Sequence, residues 1–140
     1  MDRIRVLIAD DHVLIREGLK TVLSMDPGME VAGVAQNGQE ACALADALQP
    51  DVLLLDIRMP GLDGISCIDR VKEASPETKV LILTTFHVDE YVASALANGA
   101  SGFLLKDIPM PALLEAIRDA AAGKTVLPPE VAATLAGYLK

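Results

Sequence analysis

Hydrophobic residues in this chain fall into short runs that are separated by segments long enough to form a helix. Five runs rich in aliphatic residues predict strands, and the segments between them carry apolar residues at helical spacing. The predicted strands cover about residues 4–9, 30–35, 51–55, 79–84 and 101–105. The predicted helices cover about residues 12–25, 39–48, the stretch between Gly64 and Ser75, 88–97 and 110–122.

This alternation is typical of an α/β protein with a parallel sheet. The third strand is apolar at every position from Val52 to Leu55, as expected for a strand that is covered on both faces. Right-handed crossovers then give a (βα)5 doubly wound parallel sheet, flavodoxin-like, with strand order 2-1-3-4-5. The length of 140 residues fits one domain, which we expect over 1–123, with 124–140 forming a linker and a short helix.

Polar residues stand at the carboxyl ends of four of the five predicted strands. Asp10 and Asp11 follow the first strand, and Asp56 follows the third. Thr84 ends the fourth strand, and Lys106 follows the fifth. Because ligands of open α/β sheets bind at the carboxyl ends of the strands, we expect these five side chains to share one rim.

Such a rim suits a hard cation and a phosphoryl group. Carboxylates about 4 Å apart repel each other by roughly 4 kcal/mol near a protein surface, so either one is protonated or a cation lies among them. An incompletely caged set of oxygen ligands favours Mg²⁺. Asp56 is the predicted nucleophile, which would give an aspartyl phosphate, while Lys106 and Thr84 would contact phosphoryl oxygens. For Asp10 or Asp11, capping of the following helix is the alternative to metal binding. Thr85 is the alternative to Thr84 as the hydroxyl that contacts the phosphoryl group.

Composition narrows the classes of function. The net charge of −8 argues against direct binding to nucleic acid or to an anionic membrane. No apolar run approaches the roughly 20 residues of a membrane span, and the start lacks a signal-peptide profile, so we expect a cytoplasmic protein. We expect Cys42 and Cys67 to be reduced thiols, and His12 and His87 to be exposed or loop residues rather than bases or phosphate carriers.

The residues that carry this chemistry resemble the receiver domain of bacterial two-component response regulators, over about residues 3–122. The segment 56–64, DIRMPGLDG, is similar almost letter for letter to the family's phosphorylation loop. The intervals of 45, 28 and 22 residues that separate Asp11, Asp56, Thr84 and Lys106 also suit the family pattern. The resemblance implies that Asp56 is the phosphoacceptor, which receives its phosphoryl group from a sensor histidine kinase.

The resemblance also implies a set of metal ligands. Asp11, Asp56 and the backbone carbonyl of Arg58 would hold Mg²⁺, and Asp10 would act mainly through a water molecule. The resemblance implies a phosphorylated switch rather than an enzyme.

A switching mechanism follows from the same resemblance. Thr84 would move toward the phosphoryl group, and Phe103, at the position of the family's aromatic switch residue, would turn inward. Lys106 would contact the phosphoryl group. The surface formed by the predicted fourth helix, fifth strand and fifth helix would change, and the expected output is phosphorylation-dependent homodimerisation.

The finer resemblance is to the NarL/FixJ group, whose receivers precede a LuxR-like helix-turn-helix domain. It rests on the segments DDH at 10–12, GASGFLLKD at 99–107 and AAG at 121–123. Many receivers have a Lys-Pro step, often cis, where this chain has Lys106-Asp107, which leaves the geometry of that peptide open. Residues after 124 show no recognition-helix pattern, so we expect DNA contact only through a C-terminal domain absent from this chain.

Three alternatives belong to other classes. One is a stand-alone receiver that acts by protein–protein interaction. Another is a haloacid-dehalogenase-type phosphatase, but this needs an Asp-x-Asp motif after its first strand, whereas this chain has Asp10-Asp11-His12. The third is a nucleotide-binding module, because Gly33 and Gly38 match the outer glycines of a P-loop, but Gln39-Glu40 replaces the Lys-Ser/Thr pair.

Overall fold

The computed structural model describes residues 3–56, 64–84, 99–127, 132–133 and 136–137. The strands are β1 (Ile4–Ala9), β2 (Met29–Ala35), β3 (Val52–Asp56), β4 (Lys79–Thr84) and β5 (Gly102–Leu105). The helices that pack on the sheet are α1 (Val13–Ser24), α2 (Gly38–Leu48), α3 (Gly64–Ala74) and the C-terminal helix of the domain over Met110–Ala121. Residues 132–133 and 136–137 are also helical. All five predicted strands are present, whereas the helix predicted over 88–97 lies outside the described residues.

The five strands form one parallel sheet with the order β2-β1-β3-β4-β5, which confirms the predicted fold class. Leu83 of β4 is the register partner of Asp56, and Leu105 of β5 is the partner of Thr84. The carboxyl ends of β3, β4 and β5 are therefore level, and they meet at one rim of the sheet.

The core has two layers because both faces of the sheet are covered. Residues of β3 alternate between the layers, with Leu53 on the side of α2 and α3 and Leu54 on the side of α1 and the C-terminal helix. Every residue of β3 is buried, as the uninterrupted apolar run predicts. Each buried Leu or Ile contributes about 1.5–3 kcal/mol through the removal of apolar surface from water.

The ends of the helices follow local sequence signals. Asn37 caps α2, because its side-chain oxygen accepts a hydrogen bond from the Glu40 amide at 2.8 Å. Gly123 follows the C-terminal helix with φ +91°, a conformation that favours glycine. His12 has an extended backbone and is the N-cap residue of α1, so this helix begins one residue later than predicted.

Residues 124–127 form a short strap along the free edge of β5. Val126 makes an isolated parallel bridge with Gly102, in which its carbonyl accepts from the Phe103 amide at 2.9 Å and its amide donates to the Ser101 carbonyl at 3.0 Å. A Cβ atom on Gly102 would lie 2.5 Å from the Val126 carbonyl oxygen, so this close approach requires glycine. The boundary predicted after residue 123 stays a prediction, but the strap packs directly on the sheet.

Two other properties of the described chain bear on the sequence predictions. None of its peptide bonds is cis, so the Lys106-Asp107 step is trans. Among the described residues, no helix is both long enough and apolar enough to cross a membrane.

Candidate functional site

The strand ends bring the predicted site residues to one place. Asp10 and Asp11 come directly after β1, Asp56 is the last residue of β3, and Thr84 is the last residue of β4. The amide of Lys106, one residue after β5, donates to the Thr84 carbonyl at 2.7 Å, which extends the pairing of these strands by one residue.

The side chain of Lys106 connects two of the carboxylates. Its Nζ lies 3.0 Å from Asp56 Oδ2, to which it donates a hydrogen bond, and 3.0 Å from Asp10 Oδ2. Asp10 is fully buried and Asp56 is 3% exposed, so water screens these charges weakly. Burial alone would lower the pKa of Lys106, but the hydrogen bonds and charges of Asp56 and Asp10 outweigh this and raise it. Lys106 is therefore a cation at neutral pH.

Four side chains converge on a position where a metal ion could bind. Asp10, Asp11, His12 and Asp56 each offer one ligand atom, and these atoms lie within 4.8 Å of one another. His12 Nδ1 lies 3.0 Å from Asp10 Oδ1 and 3.3 Å from Asp11 Oδ1. Carboxylates at such short range favour a bound cation.

His12 shows where reasoning from the sequence was incomplete. Its side chain is 59% exposed, in line with the prediction, but the Nδ1 edge faces the carboxylates and lies 3.4 Å from Lys106 Nζ. The signal that could have revealed this contact is its position directly after the acidic pair, at the carboxyl end of β1. Arg16 was also missed, and its guanidinium donates to the Asp10 carbonyl at 2.8 Å, which holds the turn after β1.

The site contains buried oxygens that have no hydrogen-bond partner among the described residues, and these show whether an ion and a phosphoryl group would fit. Asp11 Oδ1 and Thr84 Oγ1 are buried and have no hydrogen-bond partner among the described residues. Asp10 Oδ2 is also buried, and its contact is the 3.0 Å ion pair with Lys106 Nζ. An unsatisfied buried polar group costs about 1–3 kcal/mol, so such groups indicate a missing ligand. The donor set is mostly oxygen, which fits a hard divalent cation.

Of the remaining predicted residues, the structure describes Phe103, whereas Arg58 and Thr85 lie outside the described residues. Phe103 is fully buried and packs in the core layer beneath α2 and α3, together with Ile82. The switch hypothesis needs an outward starting position for this ring, whereas in this structure the ring is already inside.

Comparison with known proteins identifies the class to which this fold and site belong. The sequence model of the response regulator receiver domain family matches residues 6–118, so the chain belongs to this family. This confirms the resemblance drawn from the sequence.

The individual relatives are regulators of the predicted group. The chain is 39% identical over 135 residues to the nitrate/nitrite response regulator protein NarL of Escherichia coli K12, covering 96% of this chain and 62% of NarL. It is 44% identical over 125 residues to the uncharacterized transcriptional regulatory protein YxjL of Bacillus subtilis, covering 89% of this chain and 57% of YxjL. The chain therefore spans about three fifths of the length of these curated relatives.

A solved structure agrees with the same assignment. The signal receiver domain of the putative response regulator NarL from Mycobacterium tuberculosis superimposes with a TM-score of 0.84 at 40% identity, covering 89% of this chain and 100% of that domain. The chain is thus a receiver of the type found in NarL and other LuxR-family regulators.

Proposed function

We propose that Asp56 is the phosphoacceptor of this receiver and that its phosphorylation activates a LuxR-type transcriptional regulator. The observation that carries the proposal is the position of Lys106, whose ammonium lies 3.0 Å from both Asp56 Oδ2 and Asp10 Oδ2 at the rim of the sheet. A buried carboxylate that is held by an ammonium and surrounded by further acids is poised to react, and is not simply solvated surface.

The residues of this chain have distinct roles in the proposed reaction. A carboxylate oxygen of Asp56 attacks the phosphorus atom, a P–O bond forms, and the bond from phosphorus to the donor's leaving group breaks. Lys106 orients the carboxylate and then neutralises part of the charge on the phosphoryl oxygens. The Thr84 hydroxyl, which is buried at the end of the neighbouring strand, donates a hydrogen bond to a phosphoryl oxygen.

The metal of this site is proposed to be Mg²⁺. Asp11, Asp56 and the backbone carbonyl of Arg58 would hold it, and Asp10 would act through a water molecule. Two observations support this assignment: Asp11 Oδ1 accepts no hydrogen bond among the described residues, and the buried Asp10 is paired with Lys106. When bound, the ion supplies positive charge that lets carboxylates and phosphoryl oxygens share a small space.

The output follows from the charge that phosphorylation adds. A phosphoryl group brings about −2 charge. Shifting the ratio of active to inactive conformations from 1:99 to 99:1 needs about 5.5 kcal/mol of differential stabilisation. A few charge-assisted hydrogen bonds from Lys106 and Thr84, at about 1.5–3 kcal/mol each, supply it. We propose that the surface around β5 responds to phosphorylation, which leads to homodimerisation.

The partners are proposed from the same relatives. A sensor histidine kinase in the cytoplasm donates the phosphoryl group, and DNA is contacted only through a C-terminal domain that lies beyond this chain. The length of the curated relatives, which exceeds the matched region, supports such a domain. In this role the chain is a switch and not a multiple-turnover enzyme.

Labelling with acetyl phosphate tests the assignment of Asp56. With Mg²⁺ present, the wild-type chain should take up one phosphoryl group and Asp56→Asn none, because an amide does not attack phosphorus. Asp69→Asn, which changes an exposed aspartate of α3, is the matched control and should label as the wild type does. Labelling of Asp56→Asn at the wild-type level rejects the proposal. Sustained turnover of a phosphomonoester favours the phosphatase alternative instead.

A further inference from the structure

Two cysteines outside the acidic site touch each other where α2 faces α3. Cys42 Sγ lies 3.5 Å from Cys67 Sγ, and neither cysteine forms a disulfide bond. Cys42 is 8% exposed and Cys67 is 1% exposed, so the pair lies at the edge of the core layer beneath these helices. Neither thiol takes part in the phosphoacceptor chemistry, and their contact brings together residues 25 positions apart in the sequence.

We propose that Cys42 and Cys67 are a redox-active dithiol that closes to an intramolecular disulfide in the folded protein. This modification site is independent of the phosphorylation of Asp56. A disulfide bond is about 2.05 Å long, so closure needs each sulfur to move by roughly 0.7 Å toward the other.

The surface between the helices gives an oxidant access to one thiol first. A groove of about 550 Å³ runs between α2 and α3 and is lined by Cys42 together with the polar side chains of Asp46, Arg70 and Glu73. Cys67 does not line this groove. A small polar oxidant such as hydrogen peroxide therefore meets Cys42 before Cys67, which makes Cys42 the attacking thiol and Cys67 the resolving thiol.

The two steps balance with hydrogen peroxide as the oxidant. The deprotonated Cys42 sulfur attacks one peroxide oxygen, the O–O bond breaks, and the departing hydroxide takes up the thiol proton to give water and a Cys42 sulfenic acid. The Cys67 sulfur then attacks the Cys42 sulfur, the S–O bond breaks, and a second water leaves as the S–S bond forms. The two thiols lose two electrons in all, and the peroxide gains them.

The position of the cross-link connects it to the rest of the domain. The covalent loop from Cys42 to Cys67 encloses the whole of β3, including Asp56. Closing a loop of this length restricts the unfolded chain more than the folded one. The oxidised protein should therefore melt at a higher temperature than the reduced protein.

Oxidation of the native protein with diamide tests the proposal. Diamide takes two electrons and two protons, so the wild-type chain should lose both free thiols and stay monomeric on a non-reducing gel. Proteolysis should then release a linked pair of peptides that contain Cys42 and Cys67, and dithiothreitol should restore both thiols. Cys42→Ser and Cys67→Ser are matched controls that should each keep an unlinked thiol.

The wild-type measurement decides the outcome even if a variant fails to fold. Circular dichroism before and after oxidation should show the same helix and strand content. Free thiols that persist in the native wild type under diamide would overturn the proposal. So would a cross-link that forms only in urea, or one that joins different molecules.

Discussion

Lys106 carries the positive charge that holds Asp10 and Asp56 side by side at the end of the sheet. We expect Lys106→Met to lower the free energy of unfolding by about 3 kcal/mol without divalent metal, because two buried carboxylates lose their cation. Urea denaturation measures the change. Lys124→Met is the control, because Lys124 lies 3.8 Å from Asp119 on the surface and its loss should cost at most about 0.5 kcal/mol.

The same lysine predicts a pH dependence with a definite sign. The pKa of Lys106 is raised in the folded protein, so its contribution to stability is fully present below the ordinary lysine pKa of about 10.4. The contribution is lost as the pH rises through the higher pKa of the folded state. The unfolding free energies of the wild type and Lys106→Met should therefore differ at pH 7 and converge only once the pH has passed the raised pKa of the folded state. A difference that stays constant at high pH would contradict this electrostatic origin.

Asp11 provides the second prediction at the scale of single residues. In the wild type, Mg²⁺ at about 100 times its dissociation constant should stabilise the fold by about 2.7 kcal/mol. Asp11→Asn should remove most of this gain, because a neutral amide replaces the partly exposed carboxylate whose Oδ1 accepts no hydrogen bond among the described residues. Without metal, the variant should be at least as stable as the wild type, since one repelling charge is gone.

Melting curves with Mg²⁺ and with a chelator measure this metal dependence. Asp69→Asn should respond to Mg²⁺ as the wild type does, because this exposed residue is no part of the site. An equal metal response of Asp11→Asn and the wild type would show that the ion binds elsewhere.

Among the secondary-structure elements, the strap over residues 124–127 pairs with β5, and β5 is the strand that leads into Lys106. Gly102→Ala would place a Cβ 2.5 Å from the Val126 carbonyl and 2.8 Å from Val126 Cβ. Because the contact with the carbonyl is to backbone, the strap must move away, and we expect a loss of about 2 kcal/mol. Hydrogen exchange at the amides of Phe103 and Val126 should become faster.

A second glycine offers a matched control for the strap. Gly18 lies within α1, and an added Cβ meets nothing within 4 Å. Gly18→Ala should therefore stabilise the protein by up to about 1 kcal/mol and leave exchange at Phe103 and Val126 unchanged. Unchanged protection of those two amides in Gly102→Ala would show that the strap does not depend on the missing side chain.

At the scale of the whole molecule, the proposed output is a change of oligomeric state. Beryllofluoride with Mg²⁺ mimics the phosphoryl group, and we expect it to raise the mass measured by light scattering from one chain toward two. Asp56→Asn should stay at the mass of one chain under the same conditions. A wild-type mass that remains unchanged while beryllofluoride binds would argue against dimerisation by this domain.

Local sequence pattern was enough to predict the fold class and the gathering of polar residues at one rim of the sheet. Runs of apolar residues predicted β1 to β5, and the uninterrupted apolar run in β3 placed that strand inside the sheet. Because parallel strands end at a common rim, residues such as Asp56 and Thr84 at strand ends had to come close together. Spacing along the chain was sufficient for these features, since each follows from local pattern and from the geometry of parallel sheets.

The side-chain contacts that cross the fold could be read only from the packed molecule. It brought the Nδ1 edge of His12 to the acidic pair, placed Cys42 against Cys67, and laid Val126 along β5 beside Gly102. These contacts join residues through rotamers and helix packing, on which the hydrophobic pattern carries no information. The pattern determines which face of an element is buried, whereas the packing of one element on another determines which atoms meet.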